Sequence, residues 1–258
     1  MPQILQGNDG PPAKVINPGG AGGIVLVCEH ASSFIPAGLK ELGLKPQDRY
    51  SHAAWDIGAL DLARHLSAAL DAPLVASRIS RLVYDCNRPP EAPDAIPAKS
   101  ERVEVPGNRN LSDAARAARV EQIYQPFHRA VHEVLEAQRA PVVFITIHSF
   151  TPVYNGVPRA VELGLLHDTD AALAETMRAA AQAMKLELDT RLNAPYAASD
   201  GVTHTLREHA IARQIPNVMI EVSNALIDTR GAAVRIGGML AELIRHTGVA
   251  ATHKDVTA

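Results

Sequence analysis

Three segments of this chain run apolar and then stop at a side chain that can bind a metal or move a proton. Ile24-Val25-Leu26-Val27-Cys28 gives way to Glu29 and His30, the run beginning at Val142 stops at His148, and Asn217-Val218-Met219-Ile220 stops at Glu221. Two imidazoles and a carboxylate are the usual protein shell of a catalytic zinc ion, with one position left for water. Zinc brings the pKa of that water to about 7, so hydroxide is available at neutral pH. A further carboxylate beside the water can take its proton and hand it to a leaving amine, and Glu221, closing an otherwise apolar strand, has that character. A lone histidine at a strand end is more often a hydrogen-bonded structural residue. Three such ends together point to a site.

Two other sets of residues could do chemistry. His128 and His132 in FHRAVHE are spaced i,i+4, which puts both rings on one helical face. Their order is not His-Glu-x-x-His and Pro126 sits just before them, so a histidine pair packed against a sheet is the favoured reading and a metal pair the alternative. Arg81 and Arg88 flank Asp85 in SRLVYDCNR, and Arg159 precedes the apolar run at Val161. The planar guanidinium suits bidentate capture of a carboxylate. An Arg81–Asp85 structural ion pair is the competing expectation.

The elements that must hold these residues alternate in type. WDIGALDLARHLSAAL places Ala59, Leu62, Ala63, Leu66, Ala69 and Leu70 at helical spacing, and a short strand is expected over Pro73–Ala76. Ser112 is a candidate N-cap for a helical pattern running through Arg139, broken or kinked at Pro126. Strands are expected over Val142–His148, Val161–His167, Leu186–Leu192 and Asn217–Val222, with helices after Asp170, over Val202–Gln214 and over Thr229–His246. This alternation predicts an α/β layer structure with a mostly parallel sheet, whose sites lie at the carboxyl ends of strands. Residues 1–22, rich in Gly and Pro, read as a flexible N-terminal arm ahead of a single domain over 23–250. Their glycines come before the first strand rather than between strand and helix, which excludes a dinucleotide fingerprint. Arg88–Asn108 carries five of the 18 prolines without periodicity and reads as a long mobile or functional loop.

Composition narrows the class further. At 258 residues with 47% hydrophobic and 21% charged side chains, the chain can bury a substantial core. A formal net charge of -3 with no Lys/Arg block gives no sign of a nucleic-acid surface, and the longest apolar runs fall far short of a membrane span. MPQILQGNDGPP lacks a basic start followed by an apolar stretch, so no secretory leader is expected there. Cys28 and Cys86, in or beside apolar runs, suit buried thiols in a reducing compartment, and a cytoplasmic protein is expected.

Taken in order, CEHAS at 28–32, WDIGA at 55–59, SRLVYDCNRP at 80–89 and YQPFH at 124–128 resemble the N-formylglutamate amidohydrolase (N-formylglutamate deformylase) family. The resemblance continues through ITIHSFTP at 145–152, ELGLLHD at 162–168, APYAASDGVTHTL at 194–206 and IEVSNALI at 220–227. It implies a three-layer α/β/α, zinc-exopeptidase-like fold and metal-dependent hydrolysis of N-formylglutamate to formate and glutamate, a reaction of histidine degradation. The implied metal ligands are His30, His148 and a carboxylate. Many related zinc hydrolases carry a Glu three residues after the first His, where this chain has Ser33. The carboxylate is therefore expected from Asp56, with Glu29 as the alternative. Glu221 matches the family's general base, and Arg81, Asn87, Arg88, Arg159 and His204 are expected near the substrate. The cofactor is expected to be one zinc or a similar divalent ion, and the partner a small N-acyl amino acid. Two other functions stay open at this level: an amidase for a different N-acyl amino acid or peptide-like amide, and a non-catalytic ligand-binding protein on the same fold.

Overall fold

In the computed structural model, residues 2–138 and 142–249 are described. A seven-stranded mixed sheet forms the middle layer. Its strands are β1 (Ala13–Ile16), β2 (Ile24–Cys28), β3 (Leu74–Ser77), β6 (Val143–Phe150), β9 (Leu163–Leu166), β10 (Thr190–Leu192) and β11 (Asn217–Ser223). The remaining strands make two-stranded ribbons: β4 (Lys99–Ser100) with β5 (Val103–Glu104), and β7 (Val153–Tyr154) with β8 (Val157–Pro158). Sheet order is β1-β3-β2-β6-β11-β9-β10. Strands β3, β2, β6 and β11 are parallel, β1 is antiparallel at one edge, and at the other β9 runs antiparallel to β11 with β10 parallel to β9 at the margin.

Near-continuous apolar runs mark β2, β6 and β11 as strands covered on both faces. Their alternation splits the core in two. Ile24, Leu26, Ile145, Ile147, Val218 and Ile220 face α1 (Ala59–Ala69), α4 (Ala172–Ala183) and α6 (Arg230–His246). Val25, Val27, Phe144 and Met219 face α3 (Gln125–Glu136), α5 (His204–His209) and the long segment after β3. Period two then assigns His148 and Glu221 to this second face, at the carboxyl ends of adjacent parallel strands. α1 lays Leu62, Ala63 and Leu66 on the sheet, the burial of each leucine worth on the order of 1.5–3 kcal/mol.

The predicted elements differ from the structure in five places. The segment read as an arm is not loose throughout, because Ala13–Ile16 pair with β3 and Ile4 is buried. The helical pattern after Ser112, whose side chain accepts from Ala115 N, is divided into α2 (Asp113–Arg119), a π turn over Val120–Tyr124, and α3. Pro126 has no N–H for the preceding turn and its ring crowds that turn's carbonyl, so the break falls just before it. Arg139, to which that pattern was extended, and Ala250, the expected domain end, lie outside the described residues. The proline-rich 88–108 segment is pinned rather than free. Asn108 donates to Leu82 O (2.7 Å) and Pro97 O (2.8 Å), while buried Arg119 donates to Val83 O (2.8 Å) and to Asn108 Oδ1 (2.7 Å). The Leu186–Leu192 strand shortens to Thr190–Leu192, and the Val202–Gln214 helix to α5 with a 3-10 turn. Among the described residues no helix is long and apolar enough to cross a membrane.

Gly58 caps α1 with φ of 80°, and a Cβ built there would stand 2.1 Å from Ile227 O. Backbone cannot yield to that contact as a side-chain tip could. Gly58→Ala is expected to cost about 2 kcal/mol or more, from left-handed strain and the clash together. Urea titration of the variant against the parent chain measures this, and an unchanged midpoint would refute it.

Candidate metal centre and cavity

His30 lies two residues past the end of β2, and His148 lies within β6, the neighbouring strand of the sheet. Asp56 reaches them from the turn that enters α1. That turn is fixed by Asp56 N donating to His30 O (2.9 Å), Ser149 Oγ to Ile57 O (2.7 Å) and Ser80 Oγ to Ala54 O (2.8 Å). His30 Nδ1, His148 Nδ1 and Asp56 Oδ2 form a closed triangle. Nitrogen stands 3.2 Å from nitrogen, and the carboxylate oxygen lies 3.3 Å from His30 and 2.9 Å from His148. Ligands about 2.0–2.1 Å from a tetrahedral ion are separated by roughly 3.3 Å, so the triangle has the dimensions of one face of such a shell.

The outer nitrogens complete the pattern. His30 Nε2 is 2.7 Å from Asp85 Oδ1, and His148 Nε2 is 3.0 Å from Glu29 Oε2. The second contact is close but poorly aligned, an ion contact more than a hydrogen bond. A carboxylate behind each imidazole keeps the proton on Nε2 and turns the Nδ1 lone pair inward, as in carboxylate–histidine–metal arrangements. Glu29, the alternative third ligand, therefore stands behind His148 and outside the triangle. Asp85, read from sequence only as an ion-pair partner, backs His30 and also receives Arg81 Nη2 at 2.7 Å and its own loop's Asn87 N at 2.9 Å.

Charge accounting tests whether a cation fits. Glu29, Asp56, Asp85 and Glu221 are all buried, and Arg81 is the cation paired into this cluster, leaving an excess of three negative charges. Two protons on the imidazoles, or one divalent ion in their place, reduce the excess to one. The buried groups behave accordingly. Burial pushes His148 down, but Glu29 and Asp56 outweigh it and hold the imidazole well above its usual pKa. Burial and Arg81 oppose protonation of His30, yet Asp85 and Asp56 raise it. Burial also works against ionised Asp56, and the two histidines overcome it and hold the carboxyl low. A cluster that traps protons on two imidazoles converging with an ionised carboxylate is the protonated form of a cation site. The donor set fits a divalent ion that accepts nitrogen and oxygen.

Glu221 pairs in register with His148 and stands beside this triangle, with Oε2 buried and lacking a hydrogen-bond partner among the described residues. Burial lifts its carboxyl to about 7, aided by Asp56 and opposed by His148 and His30, so it can hold or release a proton near neutrality. Together these groups line a cavity of about 450 Å³, with Arg81, Asn87, Arg88, Arg159 and Tyr196 on its walls. That volume suits a small molecule. Asn87 and Arg88 reach the cavity but are committed to the chain. Asn87 holds Val202 O and Thr205 N, and Arg88 holds Asp94 and the carbonyls of Asn87, Asp200 and Gly201. His204 does not line this cavity, because its Nε2 is turned to Tyr124 Oη at 2.9 Å. Tyr196 and the His52–Glu101 pair (2.9 Å) were not singled out from sequence. APYAASDG holds a tyrosine with no periodicity to mark it, and the second pair spans 49 positions of the chain.

The i,i+4 histidines separate. His132 is half exposed beside Arg213, whereas His128 is buried and stacks on His209, with Nδ1 2.7 Å from His209 Nε2 and Nε2 2.9 Å from Cys86 O. This is the histidine packed against the sheet, with its partner drawn from α5 rather than from its own helix.

The fold and this site together describe an α/β protein with a buried His–Asp–His cluster opening on a small-molecule cavity. The N-formylglutamate amidohydrolase family model matches residues 22–228, and the chain belongs to that family, which makes it an amidohydrolase of small-molecule substrates. Its structure is similar to the crystal structure of gene product Atu2144 from Agrobacterium tumefaciens, at 48% identity and TM-score 0.93 over 96% of this chain and 99% of that one. N-formylglutamate amidohydrolase from Ralstonia eutropha JMP134 shares the fold at 17% identity and TM-score 0.65, over 91% of this chain and 98% of that one. No curated protein matches the chain.

Two expectations follow. Cation uptake must displace protons from the imidazoles, so binding tightens as pH rises, and calorimetry in buffers of different ionisation enthalpy should show proton release. Asp85→Asn, which weakens the backing of His30, is expected to lower cation affinity about 10- to 100-fold; unaltered affinity would remove Asp85 from the site. Separately, burial holds His128 down at about 4 and His209 at about 2. Each folded-state pKa lies below its unfolded value, so stability is retained above about pH 6.5 and lost as pH falls toward 4, by on the order of 3 kcal/mol per histidine. His209→Gln should flatten this acid limb in denaturant titrations at stepped pH. A limb as steep as in the parent chain would exclude the pair as its source.

Proposed function

We propose that the protein is a metal-dependent amidohydrolase that removes the formyl group from N-formylglutamate, giving formate and glutamate. One observation carries this reading: a triangle of donor atoms sized for a catalytic zinc shell lies beside a buried carboxyl of near-neutral pKa, in a chain of this family. His30, Asp56 and His148 would hold the ion, and zinc is favoured because two imidazoles and one carboxylate are its common catalytic set. When bound, such an ion supplies Lewis acidity, polarising a carbonyl oxygen and acidifying water.

The chain's own groups do the rest. Glu221 accepts a proton from the attacking water as its oxygen bonds to the formyl carbon. It then gives that proton to the amide nitrogen as the carbon–nitrogen bond breaks, so the amine leaves neutral. Glu29 and Asp85 fix the imidazoles in the tautomer this requires. Arg81 lines the cavity with its charge already shared between Asp85 and Asp56, and so orients those carboxylates more than it binds substrate. The walls of the site come from one catalytic domain. The two free buried thiols, Cys28 and Cys86, support a cytoplasmic setting.

The test is formate release from N-formylglutamate. Chelation should abolish it and zinc restore it, while Glu221→Gln should lower kcat by about 10²–10⁴-fold with metal content unchanged. Full turnover by the glutamine variant would sink the assigned role.

A further inference from the structure

Two buried histidines outside the metal triangle are placed to act on it. His128 of α3 packs against the rings of Tyr124 and His209, whose centres are 4.2 Å and 4.9 Å from its own, with Phe127 edge-on at 5.4 Å. Both of its nitrogens are engaged. Nε2 stands 2.9 Å from Cys86 O, and Nδ1 stands 2.7 Å from His209 Nε2. A carbonyl oxygen only accepts, so His128 carries its proton on Nε2. Burial keeps this imidazole neutral above about pH 4, which makes Nδ1 an acceptor and His209 Nε2 its donor. The hydrogen bonds therefore run in one direction, from His209 through His128 to Cys86 O. His209 Nδ1 is left as a bare lone pair, buried and without a partner among the described residues.

Cys86 O is one half of a peptide unit whose other half serves the metal centre. No backbone N–H among the described residues reaches this carbonyl, which leaves it to His128. The Cys86–Asn87 peptide is planar and trans, so its C=O and N–H point in opposite directions. While His128 holds the C=O, Asn87 N on the other side donates to Asp85 Oδ1 at 2.9 Å. That same oxygen meets His30 Nε2 at 2.7 Å. Arg81 occupies the other carboxylate oxygen, Oδ2, so the Asn87 N–H is what sets Oδ1 against His30. Rotation of the peptide plane would withdraw this donor and loosen the backing of the imidazole. We propose that His128, oriented by His209, is a positioning residue for the metal centre, holding the Cys86–Asn87 peptide so that Asn87 N–H keeps Asp85 on His30. This deepens the metal-dependent reading and rests on it.

The experiment measures the zinc affinity of the full chain by competition with a chromophoric chelator, in single variants and in pairs. His128→Phe fills the space of the ring but donates nothing, and should weaken zinc binding about tenfold. His128→Gln, whose amide can donate to Cys86 O and accept from His209, should stay within about threefold of the parent. Made on top of Asp85→Ala, His128→Phe should add less than about twofold, because the carboxylate it positions is already gone. A merely structural histidine would give losses that add. Heteronuclear NMR of the histidine rings at neutral pH should show His128 and His209 both protonated on Nε2, which reads the chain of hydrogen bonds even where His128→Phe does not fold. Four results overturn the proposal while the parent still binds zinc: unchanged affinity in a folded His128→Phe, His128→Gln as weak as His128→Phe, equal losses with and without Asp85, or His128 protonated on Nδ1. A parent chain that binds no zinc overturns the metal-dependent reading and this one with it.

Discussion

Everything at this site follows from the burial of charge. Glu29, His30, Asp56, Asp85, His148 and Glu221 are each 5% exposed or less, within one layer between sheet and loops. An isolated ion in such surroundings is prohibitively costly, so each must find a partner or change its protonation. The carboxylates find imidazoles and Arg81, the imidazoles find carboxylates on both of their nitrogens, and the residual negative charge calls for protons or a cation at the centre. Burial lifts Glu221, whose Oε2 has no hydrogen-bond partner among the described residues, to a pKa of about 7. The ability to exchange protons near neutrality is thus a by-product of burial, which Asp56 reinforces and the imidazoles and Arg81 oppose.

The fold supplies that crowding through register. β6 and β11 run parallel with His148 opposite Glu221, and β2 delivers Glu29 and His30 at the same end of the sheet. The second face is closed by a long irregular segment that would be mobile if left to its prolines. It is held instead by side chains acting as crossbeams: Asn108 and Arg119 on one side, Asn87 and Arg88 on the other, each spending its polar groups on backbone carbonyls or on a neighbouring loop. Rigidity there matters because Asp85, which backs His30, is carried by this segment.

The strand ends, the alternation of elements and the carboxyl-end location of the site were legible because each depends on local pattern. Apolar runs stop where a sheet stops, and period two assigns faces without knowledge of the rest of the chain. What was not legible was how each arginine and carboxylate would be used. Arg88 and Asn87 read as substrate groups in one dimension; the structure sets both on the cavity wall and also ties them to the chain, through backbone groups and, for Arg88, Asp94. Glu29 adjoins His30 in sequence but backs His148, because both lie in the turn that follows β2, where strand alternation no longer sets which neighbour a side chain meets. Of the two helical histidines, expected as a pair against the sheet, only His128 is buried there; His132 is half exposed, and the partner of His128 lies 81 residues away in α5.

The sequence by itself determined the layered α/β architecture, the parallel strands and the residue types gathered at their ends, because those follow from periodicity and from the cost of burying polar groups. Tertiary structure alone decided which nitrogen of each histidine faces inward, which carboxylate joins the triangle and which stands behind it, and which cavity arginine has no counter-ion among the described residues. These outcomes depend on distances of about 3 Å between groups dozens of positions apart, and no local pattern encodes such distances.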